Sequence, residues 1–307
     1  MGNRGAITCT VLLSLLICSL SQALAAGSPY DANRVPWARL EFRASKLFVT
    51  ASSEVEISSQ SSTSAMRQWL TPSQGASLLP SGSEVIRINL GSKLLGKTSD
   101  LDLWLDPVSG AAFQRTQLEI GKKVRHHRHR SLRFTDEGVW SSTYRATEET
   151  IDKPYDQWTL TESFETYPLN LPRQEVVGEP SGLFYLLAVA VLEKPGDQTL
   201  THVFSKGQVM RVTLAVEEWT EIGVDYLVSG PSMSGEQRVK ERRRVLRVRL
   251  HGQPLEDTDS GLDFEFLGLK GDVEVFLDPE GRFPVQISGD IKRAGRGHVR
   301  LRRVVLE

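Results

Sequence analysis

The chain has 307 residues, with 37 Lys and Arg against 38 Asp and Glu and a formal charge of −1, a near-neutrality that argues against a dedicated nucleic-acid binder. Its two cysteines, Cys9 and Cys18, both fall in an N-terminal leader, so a processed chain has no thiol; disulfides, thiolate metal sites and a cysteine nucleophile are excluded for it. Beyond the leader the longest apolar run, Leu183 to Leu192, has about half of the roughly 20 residues a membrane helix needs, so the processed chain is expected not to be membrane-embedded.

The leader occupies 1–25. Arg4 is its positive start, Ile7 to Leu20 its apolar stretch, and Ala23-Leu24-Ala25 a small-x-small cleavage site. A signal peptide of this form predicts export, a mature start near Ala26 and a periplasmic location. Ile17, where a lipoprotein signal needs a small residue before Cys18, predicts a soluble product. The roughly 280 residues that follow suffice for a proper core without disulfides. They divide in the sequence reading into a β lobe at 26–180, with a serine-rich loop at 58–83, and a second β lobe at 181–307.

Most of the chain alternates apolar and polar residues with period two between glycine, proline and aspartate punctuation. Strands are predicted at 38–46, 47–57, 84–90, 101–105, 112–120, 123–134 and 140–146. In the second half they are predicted at 199–204, 208–217, 224–228, 238–250, 262–267, 273–277, 283–291 and 298–306. Two segments depart from the pattern. The stretch 58–83 reads as a mobile polar loop with one helical turn around Met66 to Leu70. Leu183 to Leu192, between Pro180-Ser181-Gly182 and Lys194-Pro195-Gly196, reads as a short buried helix with Ser181 as candidate N-cap, a buried strand being the alternative.

The sequence also repeats a pattern. Trp104-Leu105-Asp106-Pro107-Val108-Ser109-Gly110 and Phe276-Leu277-Asp278-Pro279-Glu280-Gly281 each precede a strand and then a very basic strand. Aspartate bonds turn amides, proline presets φ and glycine takes the left-handed position, so each suits a hairpin. Two such motifs in the same order predict an internal duplication. The fold class that follows is mainly β: long-stranded, twisted antiparallel sheets of half-barrel or open-barrel type, in two related lobes, with one short buried helix.

Three clusters bear on chemistry. In 122–130 (KKVRHHRHR), His127 and His129 share a face if the strand runs through them, a spacing that zinc and copper sites use. The surrounding Lys123, Arg125, Arg128 and Arg130 oppose a dication, and no metal site is expected. Arg238, Lys240, Arg242, Arg243, Arg244, Arg247 and Arg249 form a second basic strand; Lys292, Arg293, Arg296, Arg300, Arg302 and Arg303 form a third. Most of these are expected to pair with acidic neighbours such as Asp136-Glu137, Glu148-Glu149, Glu256-Asp257-Asp259 and Asp263 to Glu265. A minority, with Arg243, Arg247, Arg128 and Arg130 as candidates, would remain free to bind an anion. Gly230 to Gly235 lacks the spacing of a nucleophile elbow and reads as a turn. The acid/base reading of Asp106 and Asp278 yields to their matching turn contexts. No catalytic residue and no cofactor is assigned, and the chain is not expected to be an enzyme.

The second half resembles a family of exported bacterial β-proteins known only as a domain of unknown function. The likeness rests on Gly182 to Leu192, Met210 to Glu217, Val275-Phe276-Leu277-Asp278-Pro279 with Phe283-Pro284-Val285, and Gly297-His298-Val299-Arg300-Leu301. It implies a periplasmic location and a long-stranded antiparallel sheet, and it supplies no site residues. In outline the fold so implied is similar to half-barrels that carry lipoproteins and lipids. Three functions are weighed: a binding or scaffold protein for an apolar or anionic envelope component, an assembly factor that pairs by a strand edge, and a hydrolase with an unrecognised site. The partner expected is an envelope lipid, glycan or protein, not nucleic acid. A concave apolar cavity would favour the first, an uncovered edge the second, converging titratable groups the third.

Overall fold

A computed structural model describes residues 30, 32–46, 49–172, 175–256, 264–291 and 295–307. The leader with its cleavage site, Asp257, Asp259, Asp263, Lys292 and Arg293 lie outside the described residues.

The first half is a meander in which each strand pairs antiparallel with the next. Its strands are β1 (Trp37–Lys46), β2 (Val49–Ser61), β3 (Glu84–Leu94), β4 (Lys97–Leu105), β5 (Ala112–Ile120), β6 (Arg128–Phe134), β7 (Gly138–Arg145) and β8 (Thr159–Thr166). The second half holds β9 (Val177–Gly178), β10 (Gln198–Ser205), β11 (Gln208–Ser229), β12 (Gln237–Pro254), β13 (Glu265–Phe266), β14 (Leu269–Leu277), β15 (Pro284–Ile291) and β16 (Gly295–Leu306). Antiparallel pairing of β1 with β16 joins the halves into one 16-stranded sheet. The fold is the mainly β, long-stranded one that the period-two patterning implies. One apolar core crosses the 180/181 boundary, with Ile57, Ile88 and Leu103 from the first half packed in the same cluster as Val212, Leu250 and Ile287 from the second.

Three differences from the strand pattern have physical causes. The stretches 208–217 and 224–228 are one 22-residue strand, β11, bent by a register shift between Val216 and Glu218. Its last part, Leu227 to Ser229, runs parallel to Arg303 to Val305 of β16 and closes β11, β12, β14, β15 and β16 into a ring. Strand β8 leaves seven of its eight residues exposed, so no alternation marks it in the sequence. The residues before Arg128 form a 3-10 turn, Val124–His126, rather than the start of β6.

The serine-rich stretch is a packed strap, not a structureless loop. Residues 58–61 continue β2, and α1 (Ser62–Met66) follows with the Ser61 hydroxyl accepting from the Ser64 amide. Trp69 stacks on Phe113 with ring centroids 5.0 Å apart, over a small separate core of Ala65, Val85, Trp104 and Phe113. The Arg133 guanidinium sits 4.8 Å over the Trp69 ring and donates to the carbonyls of Phe113 and Leu78. Burial there pushes it down to about 10. The strap's serines hide an apolar underside of Ala65, Trp69 and Leu78.

Helix α2 (Leu183–Val189) has all seven residues buried. Ser181 does not cap it: the N-cap of α2 is Gly182, with no side-chain bond, and Glu179 caps the 3-10 turn Pro180–Gly182 just ahead, its carboxylate accepting from the Ser181 amide at 2.6 Å. At the other end the Arg282 guanidinium, itself only 9% exposed, donates to the carbonyls of Leu187, Ala188, Ala190 and Leu192 at 2.5–3.2 Å. Helix termini leave such carbonyls without partners, and buried orphans cost about 1–3 kcal/mol each.

Arg282 also belongs to the second Asp-Pro turn, and the two turns match bond for bond. Asp106 N–H donates to Ala111 O and Gly110 N–H to Asp106 O, as Asp278 N–H does to Phe283 O and Arg282 N–H to Asp278 O. One carboxylate oxygen accepts from Val108 and Ser109 in the first, from Glu280 and Gly281 in the second. Each turn leads from one strand to the next and on to a basic strand, β4–β5–β6 and β14–β15–β16. The left-handed residue is Gly110 in the first (φ 74°) but Arg282, not Gly281, in the second (φ 52°).

Arg282→Met is expected to lower unfolding free energy by about 3 kcal/mol or more in urea titrations, since several buried carbonyls lose their donor together. A loss under about 1 kcal/mol would show that water can replace the guanidinium.

Candidate functional site

A cavity of about 790 Å³ opens between the two halves of the sheet, within the roughly 300–1,000 Å³ range of small-molecule sites. Its deep surface is apolar, with Leu101 and Leu132 from the first half facing Phe204, Phe266 and Leu269 from the second. Side chains alternate across a strand, so Leu90, Ser92 and Leu94 of β3 and Arg128, Arg130 and Leu132 of β6 line it from one face of each strand. Three tight hairpin tips reach its mouth. Leu95, Lys206 and Leu267, which line the cavity, are each left-handed (φ 51–54°) and each followed by a left-handed glycine, the requirement of a two-residue turn matched to sheet twist. At the first tip Leu94 and Leu95 are 48% and 71% exposed.

The wall formed by β5 and β6 is cationic. Arg115 ion-pairs with Glu179 at 3.1 Å, and Arg128 with Glu119 at 2.6 Å. Burial pushes the Glu119 carboxyl up, but Lys97 and Arg128 together outweigh it and hold it below the usual carboxylate range. Across the mouth, Lys206 pairs with Glu265 at 2.7 Å. Arg130 differs. Its Nε reaches the Ser141 hydroxyl at 3.4 Å, and among the described residues no carboxylate pairs with it. Burial lowers the Arg130 guanidinium from its ordinary value, and the like charges of Arg115, Arg128 and Arg145 add to this, with the Glu165 carboxylate opposing them in part.

Of the four candidate anion-binding arginines, the structure therefore places Arg128 and Arg130 in the cavity wall and Arg243 and Arg247 elsewhere. Arg243 lies 2.7 Å from the buried Asp278 carboxylate and donates to the Tyr226 hydroxyl at 2.6 Å. Arg247 pairs with Glu217 at 3.0 Å and Glu218 at 3.2 Å. Neither is free. Their partners sit on β11 and at the end of β14, and the other basic residues of β12 and β16 follow suit: Arg238 with Asp225, Arg249 with Glu217, Arg296 with Glu274, Arg303 with Glu41 and Glu236. Antiparallel register sets this directly, placing Glu218 opposite Arg247 and Asp225 opposite Lys240. Of the acidic segments singled out in the sequence, Glu265 pairs, and with Lys206; Arg238, Arg247, Arg249 and Arg296 pair with carboxylates of β11 and β14, while Arg303 pairs with Glu41 of β1 and with Glu236 between β11 and β12.

His127 and His129 do not share a strand face, because His127 closes the 3-10 turn before β6. His127 Nε2 donates to the Gly121 carbonyl at 2.7 Å and its ring leans on Trp158. His129 stacks on Tyr155 with centroids 3.9 Å apart. Among the described residues no group of three or more His, Cys, Asp and Glu is arranged to hold a metal ion, and no helix is long and apolar enough to cross a membrane. Gly230 to Gly235 lies in the connection between β11 and β12. The cavity itself went unread in the sequence; the available signal was the alternation Phe134, Leu132, Arg130, Arg128 on β6, apolar at one end and cationic at the other. No protein-family model matches the chain, and neither a curated protein nor a solved structure matches it.

Two predictions follow from these placements. Arg243→Gln should cost about 1–3 kcal/mol, because it strands the buried Asp278 carboxylate; an unchanged melting temperature would mean that the turn survives without its cation. The second concerns pH. Burial lowers both His129 and His202 from 6.5. Stability from these groups is fully present above that value and is lost as the pH falls below it, since the unfolded chain binds protons that the folded chain refuses. His129→Phe should flatten the fall in melting temperature between about pH 6.5 and 5, and an identical profile would assign that fall to other groups.

Proposed function

We propose that this protein is an exported, non-enzymatic binding protein of the bacterial periplasm, akin to the β-protein family its second half resembles, and that it holds an apolar or amphiphilic envelope molecule in the cavity between its halves. The observation that carries this reading is the cavity itself: about 790 Å³ of space with an apolar interior and a mouth set by three hairpin tips. An apolar surface that large, left open to water, gains stability from any ligand that covers it, at about 25 cal/mol per Å². The charged lining residues lie in the β5–β6 wall, beside it at Glu179 and at the mouth, which leaves the deep surface free to take hydrocarbon. A strand-edge assembly factor is the second reading, supported by β8, which ends the sheet with one side unpaired among the described residues.

A neutral, environment-sensitive naphthylamine dye should bind saturably at one site, and a series of straight-chain alcohols should displace it about fourfold more tightly per added methylene until the cavity is filled. Ala51→Phe, which places a ring in the cavity lining, should weaken the dye about tenfold with little change in melting temperature. Absence of saturable dye binding, or equal affinity in the Ala51→Phe variant, would reject the cavity as a binding site.

A further inference from the structure

The positions around Arg130 specify more than an apolar ligand. Along the inward face of β6 the residues run Phe134, Leu132, Arg130, Arg128, from fully buried to half-buried. Arg130 is thus two residues, roughly 6.6 Å, from the apolar floor at Leu132. Its cross-strand neighbours on that face are Gln117 of β5 and Thr143 of β7, both neutral. Three of the cations lining the cavity, Arg115, Arg128 and Lys206, already have carboxylates. Of those left, Lys93 is exposed at the rim, whereas Arg130 is half-buried in the wall and uses only Nε, leaving the terminal nitrogens of its fork without a described partner. A guanidinium fork pairs bidentately with a carboxylate or phosphate.

Resting on the binding reading above, we propose that the ligand is a single-chain amphiphile whose oxyanion head is bound by Arg130, with its hydrocarbon directed past Leu132 toward Phe204, Phe266 and Leu269. The head's chemistry is that of a carboxylate, as in a free fatty acid, or a phosphate monoester, as in a single-chain phospholipid. An oxyanion there relieves the repulsion of Arg130 with Arg115, Arg128 and Arg145, which Glu165 offsets only in part and which a neutral head leaves in place. The tail covers the apolar surface, and the head fixes its direction.

The test is displacement of the neutral dye from the full-length protein by dodecanol, dodecanoate and dodecyl phosphate at matched ionic strength. The parent should bind dodecanoate, dodecyl phosphate or both about tenfold or more tightly than dodecanol, and the tighter of the two anions names the head. Arg130→Gln should abolish that preference while still binding dye and dodecanol saturably, which also shows that the variant is folded. Arg130→Lys should keep part of it, because charge remains and the fork is lost. Equal binding of the three ligands by the parent, or an anion preference that survives in Arg130→Gln, would overturn the assignment of the head. Failure of dye and dodecanol alike would instead remove the binding reading on which it rests.

Discussion

A single guanidinium under the end of a short helix holds this architecture together. Helix α2 is buried on every side, so the carbonyls at its end have no access to water, and seven residues are too few to sustain a helix in isolation. Arg282 reaches four of those carbonyls at once. Its own backbone is locked at φ 52° by the Asp278 turn, and its carbonyl accepts from the Trp37 indole at 3.2 Å. Trp37 opens β1, the strand that pairs with β16 and joins the halves. The helix, the second turn and the seam of the sheet are therefore fixed by one residue, which explains why a left-handed, strained arginine stands where glycine would be cheaper.

The two turns show how one local chemistry serves two tertiary purposes. In each, an aspartate oxygen organises the loop amides and the other oxygen is left over. At Asp106 the spare oxygen accepts from the Ser81 amide and hydroxyl, pinning the serine-rich strap. Burial pushes that carboxyl up, yet these bonds outweigh it and hold it below its usual range. At Asp278 the spare oxygen faces Arg243, tying β12 to the turn. Helix α2 sits between the pair: Tyr185 donates to the Pro107 carbonyl at 2.7 Å, and a side chain added at Gly110 would approach Leu186 to 3.3 Å. Glycine at the first turn and arginine at the second are answers to the two ends of the same helix.

Much of this architecture was legible because burial leaves a period-two mark. Strands with one wet and one dry face, such as β3, β14 and β16, lie close to where alternation puts them, and the Asp-Pro turns have the chemistry their residues announce. Alternation fails where both faces share one environment. β8 is wet on both sides, and the middle of β11 is polar across its bend. Serine-rich composition likewise conceals the strap, because its apolar contacts are few and lie on Trp69 and Leu78, and the Ser81 bonds that pin it end on Asp106, a residue far off in the sequence. Arg243 and Arg247 share a strand face with Glu241 as the one carboxylate close in sequence, yet register sets Glu217, Glu218 and Asp278 beside them. Pairing of this kind belongs to the sheet, not to any segment.

The cavity was illegible for a related reason, since its lining comes from strands of both halves and only the curvature of the sheet assembles it. Once assembled, its asymmetry has a simple origin. Inward residues of β3 run Ile88, Leu90, Ser92, Leu94 toward the mouth, and those of β6 run Leu132, Arg130, Arg128 in the same direction. One wall thus reaches water through leucine and the other through arginine. A molecule apolar along its whole length would leave Arg130 in a low-dielectric wall with like charges around it, and a wholly polar one would leave Phe204, Phe266 and Leu269 wet. The two walls are satisfied together only by a ligand that is hydrocarbon on one side and anionic on the other, so the sheet's own gradient from core to rim sets both the composition of what it can hold and the direction in which it lies.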